Sequence, residues 1–249
     1  PEKNALSQLR TGDYRRNMAA AAADESLAST PAVVVSTAVF WRSAWKYRTR
    51  GYRYCFWDNG TVFSTLLASA NSLGQPSRVL AGFVDATVDN LLGVNSEQEA
   101  STCLVALGQN SGARPYVVKA LAEIDAGDLG FKDPIAYPES DLLHAEARLD
   151  SADEVHDWRG HTHGQETRFD VDAKSGPLGD AILERGSTRR FARKDISLQQ
   201  LTALLAAASA SMSADFGGGL TEPYLIVNAV EGLASGAHHF SRETGELEL

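Results

Sequence analysis

The middle of this chain reads as a break between two folded segments. Leu121 to Glu184 carries 16 acidic residues against five basic ones, and from Ala126 to Gly176 the apolar periodicity weakens while Pro134, Pro138, Gly160, Gly164 and Gly176 interrupt it. Such a stretch buries too little apolar surface to offset the entropy of ordering it, so it reads as a linker holding one helix around Ser140 to Leu149. The 249 residues then divide into a first folded segment, 1–125, an acidic linker, 126–176, and a second folded segment, 177–249.

The first segment alternates two periods. Asn4 to Arg10 and Arg15 to Leu27 read as helices, and the run Ala32 to Phe40, with Val33, Val34, Val35 and Val39, reads as a buried strand. Val62, Phe63, Leu66, Leu67, Ala70 and Leu73 recur at helical spacing up to Gly74, a residue suited to the position after a helix because it accepts positive φ. Val79 to Phe83 and Thr102 to Leu107 read as strands separated by a helix from Ala86 to Leu92. In the second segment Ser197 and Gln200 have the spacing of a capping box, opening a helix faced by Leu198, Leu201, Leu204 and Leu205. Tyr224 to Val230 follows as a strand, and Ser241 to Gly245 as a turn into another. The fold class is therefore α+β, a mixed sheet flanked by helices.

Charge separates function classes. The net charge is 23 − 32 = −9, which argues against nucleic acid or an anionic membrane as the partner, and no apolar run approaches the ~18–20 residues that span a bilayer. Cys55 and Cys103 are too few for a disulfide framework and fit no metal spacing, so a reducing compartment, the cytoplasm, is expected. The chain opens at Pro1 without Met and stops at Leu249 directly after strand-like residues, so both ends are expected to be cut. His156, His161 and His163 lie near Asp153, Asp157 and Glu166, but in a Gly-rich acidic stretch no metal is expected. His238 and His239 sit in one strand and face opposite sides.

Ten of the 23 positive charges fall in two short windows free of acids. Arg42, Lys46, Arg48, Arg50 and Arg53 lie between Trp41 and Tyr54, and Arg185, Arg189, Arg190, Arg193 and Lys194 form the other. In the second, Arg185-Gly186-Ser187-Thr188-Arg189 concentrates guanidinium forks and hydroxyls beside a glycine, the donor set that a phosphate monoester requires; a solvated loop is the alternative. No nucleophile elbow, zinc-protease, P-loop or dinucleotide motif is present.

Arg185-x-Ser187-x-Arg189-x-Phe191, followed by Ile196, Ser197, Leu201 and Leu204-Leu205, resembles the amino-terminal signature of the FMN-dependent nitroreductase superfamily. Tyr224 to Leu233 and Gly236-Ala-His-His-Phe240 look like the strands that follow in its SagB/ThcOx-type (azoline) dehydrogenase branch. The first segment resembles the other end of the same fold: Lys46-Tyr47-x-x-Arg50-Gly51-Tyr52-Arg53, Asp58-x-Gly60, Gly82-Phe83-x-Asp85, Leu91-Leu92-Gly93 and Ala106-Leu107-Gly108 follow its carboxy-terminal half in order. The order is carboxy half, acidic linker, amino half, which is what the middle of a tandem two-domain member would give.

That resemblance implies a flavin enzyme, with FMN as cofactor, that oxidises a peptide thiazoline or oxazoline to the thiazole or oxazole of a natural product. It implies that Lys46 and Tyr47 are catalytic, Lys46 as base for the ring proton and Tyr47 as its relay. It places Arg185 and Ser187 on the FMN phosphate, Arg189 near the flavin pyrimidine edge, and Ala81 and Gly82 where backbone approaches flavin N5. Its sites form between two domains, so the partner implied is another nitroreductase-like domain, in a homodimer or a tandem pseudo-dimer, with a peptide or small molecule as substrate. The chain departs from the branch at Thr61 and Thr65, and Ser209 to Glu222 has no Pro-Ser-x-Gly stretch, as in a degenerate second domain. A general NAD(P)H-dependent nitroreductase and a flavin-free docking module with the same fold are the competing readings.

Overall fold

The computed structural model of the chain describes residues 5–109, 112, 117–124, 135–161, 177–210, 212–218 and 220–248. They belong to two compact units, Pro1–His161 and Thr162–Leu249.

In the first unit, strand β1 (Ala32–Val39) and strand β2 (Ser77–Leu80) flank strand β3 (Glu99–Leu107), both antiparallel to it. Burial runs unbroken along β3 from Ala100 to Val105, as it must where helices cover a central strand on both faces. The core gathers Met18, Ala19 and Ala21 of helix α1 (Arg15–Ala21), Leu27 and Ala28 of a 3-10 turn, Leu80 and Leu104 of the sheet, and Phe83 and Val88 beside or on helix α4 (Asp85–Leu92). A bulge in β3 leaves Thr102 as the extra residue between Ser101 and Cys103. Its hydroxyl donates to the Ser36 carbonyl at 3.1 Å and accepts from the Asn59 amide, whose oxygen in turn accepts from Ser36 Oγ. The bulge thereby tethers helix α3 (Gly51–Ser72) to the sheet.

Several expectations are corrected. Of Asn4 to Arg10, Asn4 lies outside the described residues and the remainder is not helical. Arg10 instead donates to the carbonyls of Leu91 (2.7 Å), Asn90 (2.8 Å) and Ala122 (2.5 Å), closing the carboxy end of α4, where the macrodipole favours a cation. The Ala-rich helix stops at Ala21 because Ala23 turns to φ +45°, and Asp24 caps the short 3-10 turn that follows. Strand β2 ends at Leu80, and the helix expected from Val62 begins eleven residues earlier, at Gly51. Gly74 does sit at φ +65° just past that helix.

The linker expectation changes most. Residues 135–161 belong to the first unit, as helix α5 (Pro138–Ala147) and helix α6 (Ala152–His161). Val155 of α6 is fully buried, and Leu149 bridges to Val84. His163 and Glu166 lie outside the described residues; His161 is on α6 with its Nδ1 2.6 Å from the Asp157 carbonyl. Among the described residues no group of three His, Cys, Asp or Glu is placed to hold a metal, and no helix is long and apolar enough to cross a membrane.

In the second unit, helix α7 (Leu178–Glu184) precedes coil, then strand β4 (Ile196–Ser197) and helix α8 (Leu198–Ser209). The capping box forms as its spacing predicts: Gln200 N–H donates to Ser197 Oγ at 3.1 Å, and Ser197 N–H to Gln200 Oε1 at 3.0 Å. The expected strand from Tyr224 divides into β5 (Tyr224–Val227) and β6 (Val230–Glu231), β6 running parallel to β4. Strands β7 (Gly236–Phe240) and β8 (Leu247–Glu248) complete an antiparallel sheet with β5. On β7, His238 is buried and bonded to the Ala234 carbonyl, while His239 faces out to Glu222.

Candidate functional site

The first basic window folds into a helix-to-helix corner. Helix α2 (Trp41–Tyr47) rests on buried Ala44, and a 3-10 turn over Arg48–Arg50 leads into α3. Gly51 makes the corner possible: a Cβ there would lie 2.7 Å from the backbone N and Cα of Ala44, closer than a methyl group can approach. Arg48, directly after Tyr47, holds φ +54°, ψ −141°, a conformation that costs a non-glycine residue roughly 1–3 kcal/mol. This is the physical content of the spacing between Lys46-Tyr47 and Gly51: the pair stands immediately before a strained residue at a corner closed by a glycine.

Lys46 and Tyr47 are both exposed, with Lys46 Nζ 5.2 Å from the Tyr47 ring centre, within cation–π range. Tyr47 meets Tyr54 edge to face at 4.5 Å, Tyr54 lies 5.0 Å from Trp57, and Arg50 donates to the Tyr54 hydroxyl at 2.9 Å. The outer face of the corner is thus a ladder of rings and cations. Its inner face is Tyr52, packed against Phe40 at 5.2 Å and Phe56 at 5.1 Å, with its hydroxyl pushed up to about 12 by burial and so neutral.

Ala81 and Gly82 form the turn between β2 and α4, with Gly82 buried. Arg159 of α6 fixes this turn, donating to the carbonyls of Gly82 (3.0 Å), Ala22 (2.7 Å) and Ala23 (3.3 Å). Beside it, Asp85 Oδ2 accepts the Leu149 N–H at 2.9 Å, and the Asp85 N–H donates to the Leu149 carbonyl at 3.1 Å. Burial pushes the Asp85 carboxyl up to about 6 despite that hydrogen bond. The sequence reading missed Arg159, assigned to the linker, and gave Asp85 no role beyond its place in the motif. Three bonds to backbone carbonyls leave no side-chain pattern that could have revealed Arg159.

Arg185, Ser187 and Arg189 lie in exposed coil between α7 and β4, and a Cβ on Gly186 would meet nothing within 4 Å. No carboxylate pairs with either arginine among the described residues. The first unit therefore gathers Lys46 with Tyr47 at one corner and Ala81 with Gly82 at a pinned turn, while the second carries the arginine and serine donors.

No family model and no curated protein matches the chain. Among solved structures, a protein of Anabaena variabilis assigned as a nitroreductase overlays 89% of this chain at TM-score 0.64 and 21% identity. The fold is nitroreductase-like. The match takes in 49% of the Anabaena chain, so this chain spans about half its length. The microcin synthetase McbBCD complex of Escherichia coli, solved with truncated pro-MccB17, matches over 32% of this chain and 30% of that one at 25% identity and TM-score 0.31.

Proposed function

We propose that this chain is part of an FMN-dependent oxidoreductase of azoline dehydrogenase type, which oxidises peptide thiazolines or oxazolines to their aromatic azoles. The observation that carries the reading is the α2–α3 corner, where Lys46 and Tyr47 stand exposed and in mutual contact before the strained Arg48. The nitroreductase-like fold supports it, and so does the donor chemistry of the second unit: Arg185 and Arg189 have no described carboxylate partner and are open to a phosphate. A matched structure about twice as long as the region overlaid agrees with a tandem protein of which this is one part. The exposed Trp45, Trp57 and Val62 on α2 and α3 suit a further nitroreductase-like domain as partner.

FMN, when bound, supplies the acceptor for the hydride leaving the ring Cβ. In the second unit Arg185 and Ser187 would hold a flavin phosphate and Arg189 a pyrimidine edge; in the first unit the Ala81–Gly82 backbone, fixed by Arg159, offers a flavin ring a close approach, and each set would be completed by a partner domain. Lys46 accepts the ring Cα proton at Nζ. Tyr47, in contact with that ammonium, directs the side chain and offers a hydroxyl to carry the proton onward. A lysine acts as base only when dry surroundings lower its proton affinity, so a partner domain and the bound peptide must cover the corner. The test is the visible spectrum of the longer protein after loading with FMN and desalting, followed by conversion of an azoline peptide. A retained flavin band with azole formation supports the reading, whereas a colourless protein would make the chain a docking module.

A further inference from the structure

A groove on the other side of α2 is used by none of this chemistry. Two adjoining cavities, about 420 Å³ and about 160 Å³, share Phe40, Glu97, Gln98 and Asp141 as walls. All their lining residues belong to the first unit: the start of α2, the loop before β3, and α5 with the residues leading into it. Trp41 and Ala44 of α2 face the groove. Lys46 is two positions beyond Ala44, about 200° around the helix at ~100° per residue, and so points away from it.

The lining has a definite chemical sense. Glu97 and Asp141 are exposed with no ion pair among the described residues, and Arg148 is the one arginine or lysine in the lining. The aromatic walls are Phe40, Trp41 and Tyr137. His144 stands 4.8 Å from the Phe40 ring and 6.0 Å from Tyr52, and its Nε2 is shielded from solvent without a hydrogen-bond partner. Burial, and then Arg148, depress its basicity, so the imidazole is neutral near pH 7 and keeps a lone pair. Two carboxylates and the Gln98 amide oxygen give the groove its acceptors, and Phe40, Trp41 and Tyr137 its aromatic walls. The two carboxylates outnumber the one guanidinium of the lining, so the groove favours a cation over an anion.

We propose that this groove binds an organic cation, an ammonium or guanidinium group on an apolar stem, with the charge against Glu97 and Asp141 and the stem against Phe40 and Trp41. A free amine and a basic side chain of a peptide share this chemistry.

Isothermal titration of the full chain with N-acetyl-arginine amide, with agmatine, and with N-acetyl-citrulline amide as the neutral isostere tests it. The cations should bind about tenfold more tightly than the citrulline amide, the sum of cation–π and exposed ion-pair contributions. Tighter binding of the arginine amide than of agmatine assigns the site to a peptide side chain, and the reverse order assigns it to a free amine; either supports a cation site. The double variant Glu97→Gln, Asp141→Asn changes exposed residues only, should melt as the parent does, and should lose that preference. Glu243→Gln, an exposed acid of the other unit, should leave binding unchanged. Citrulline amide binding as well as arginine amide, an unaltered double variant, or an equal loss in Glu243→Gln would each overturn the proposal, the last by reducing it to diffuse attraction to an acidic chain.

Discussion

Two windows of this chain carry five positive charges each and no acid, yet their structures differ completely. Between Trp41 and Tyr54 the cations alternate with rings, and the segment folds as two helices meeting at Gly51, with Lys46 over Tyr47 and Arg50 bonded to Tyr54. Between Arg185 and Lys194 Phe191 is the only ring, and the segment is exposed coil. The difference teaches that charge density decides what a segment can attract, while interleaved aromatics and a well-placed glycine decide whether it has structure before the ligand arrives. The first window is preorganised; the second is exposed coil.

The glycines give the largest contrast. Gly51→Ala drives a methyl into the Ala44 backbone and should lower stability by about 2–3 kcal/mol in urea denaturation, as overpacking does, whereas Gly186→Ala meets nothing and should change it by less than ~0.5 kcal/mol. Equal effects of the two would erase the distinction.

Asp85 sharpens the claim that the first unit is preorganised. Burial lifts its folded pKa to about 6, above the 3.8 of a free aspartate, so the folded state holds the proton more tightly. The stability this contributes is full below about pH 4, declines as pH rises through the interval, and is gone above about pH 6. Asp85→Asn keeps an acceptor for the Leu149 N–H without the buried charge. It should raise stability at pH 7 by about 1–2 kcal/mol and flatten the melting temperature between pH 4 and 6; a lower melting temperature at pH 7 would contradict the assignment.

The arginines should separate stability from binding. Arg185→Ala and Arg189→Ala should each leave the melting temperature within about a degree and weaken FMN binding by the longer protein about tenfold, read by fluorescence quenching. Tyr54→Phe, which removes the acceptor of Arg50, should cost less than ~1 kcal/mol and leave FMN affinity unchanged.

These contrasts also show what was legible in the sequence. The strand over Ala32–Val39, the capping box of Ser197 and Gln200, and the positive φ of Gly74 follow from local rules, and the structure has them; the burial expected of β1 is not found, because β1 is an edge strand of its sheet and only its Ala38 is buried. The early start of α3 was hidden because the exposed Phe56 and Trp57 break the apolar stripe by which a helix is recognised. The docking of α5 and α6 was hidden because it rests on Arg159 against backbone carbonyls, on one buried Val155 and on the Asp85–Leu149 clamp, none of which is a periodic signal. For the candidate site, residue types pointed to the arginine window, whereas Lys46 and Tyr47 were singled out only by the family resemblance; Gly51 and the strained Arg48 give the corner that carries that pair its geometry. The pinned turn at Ala81 and Gly82 needed the three-dimensional position of Arg159.

We propose proton abstraction by Lys46 at the α2–α3 corner of a flavin oxidoreductase. It is tested most directly by measuring flavin content and azole formation together, in the longer protein and in its Lys46→Ala variant. Flavin retained in both, with azole formation lowered ~100-fold or more in the variant, is the predicted result for loss of a general base. Azole formation at the parental rate in a flavin-loaded Lys46→Ala protein would contradict it.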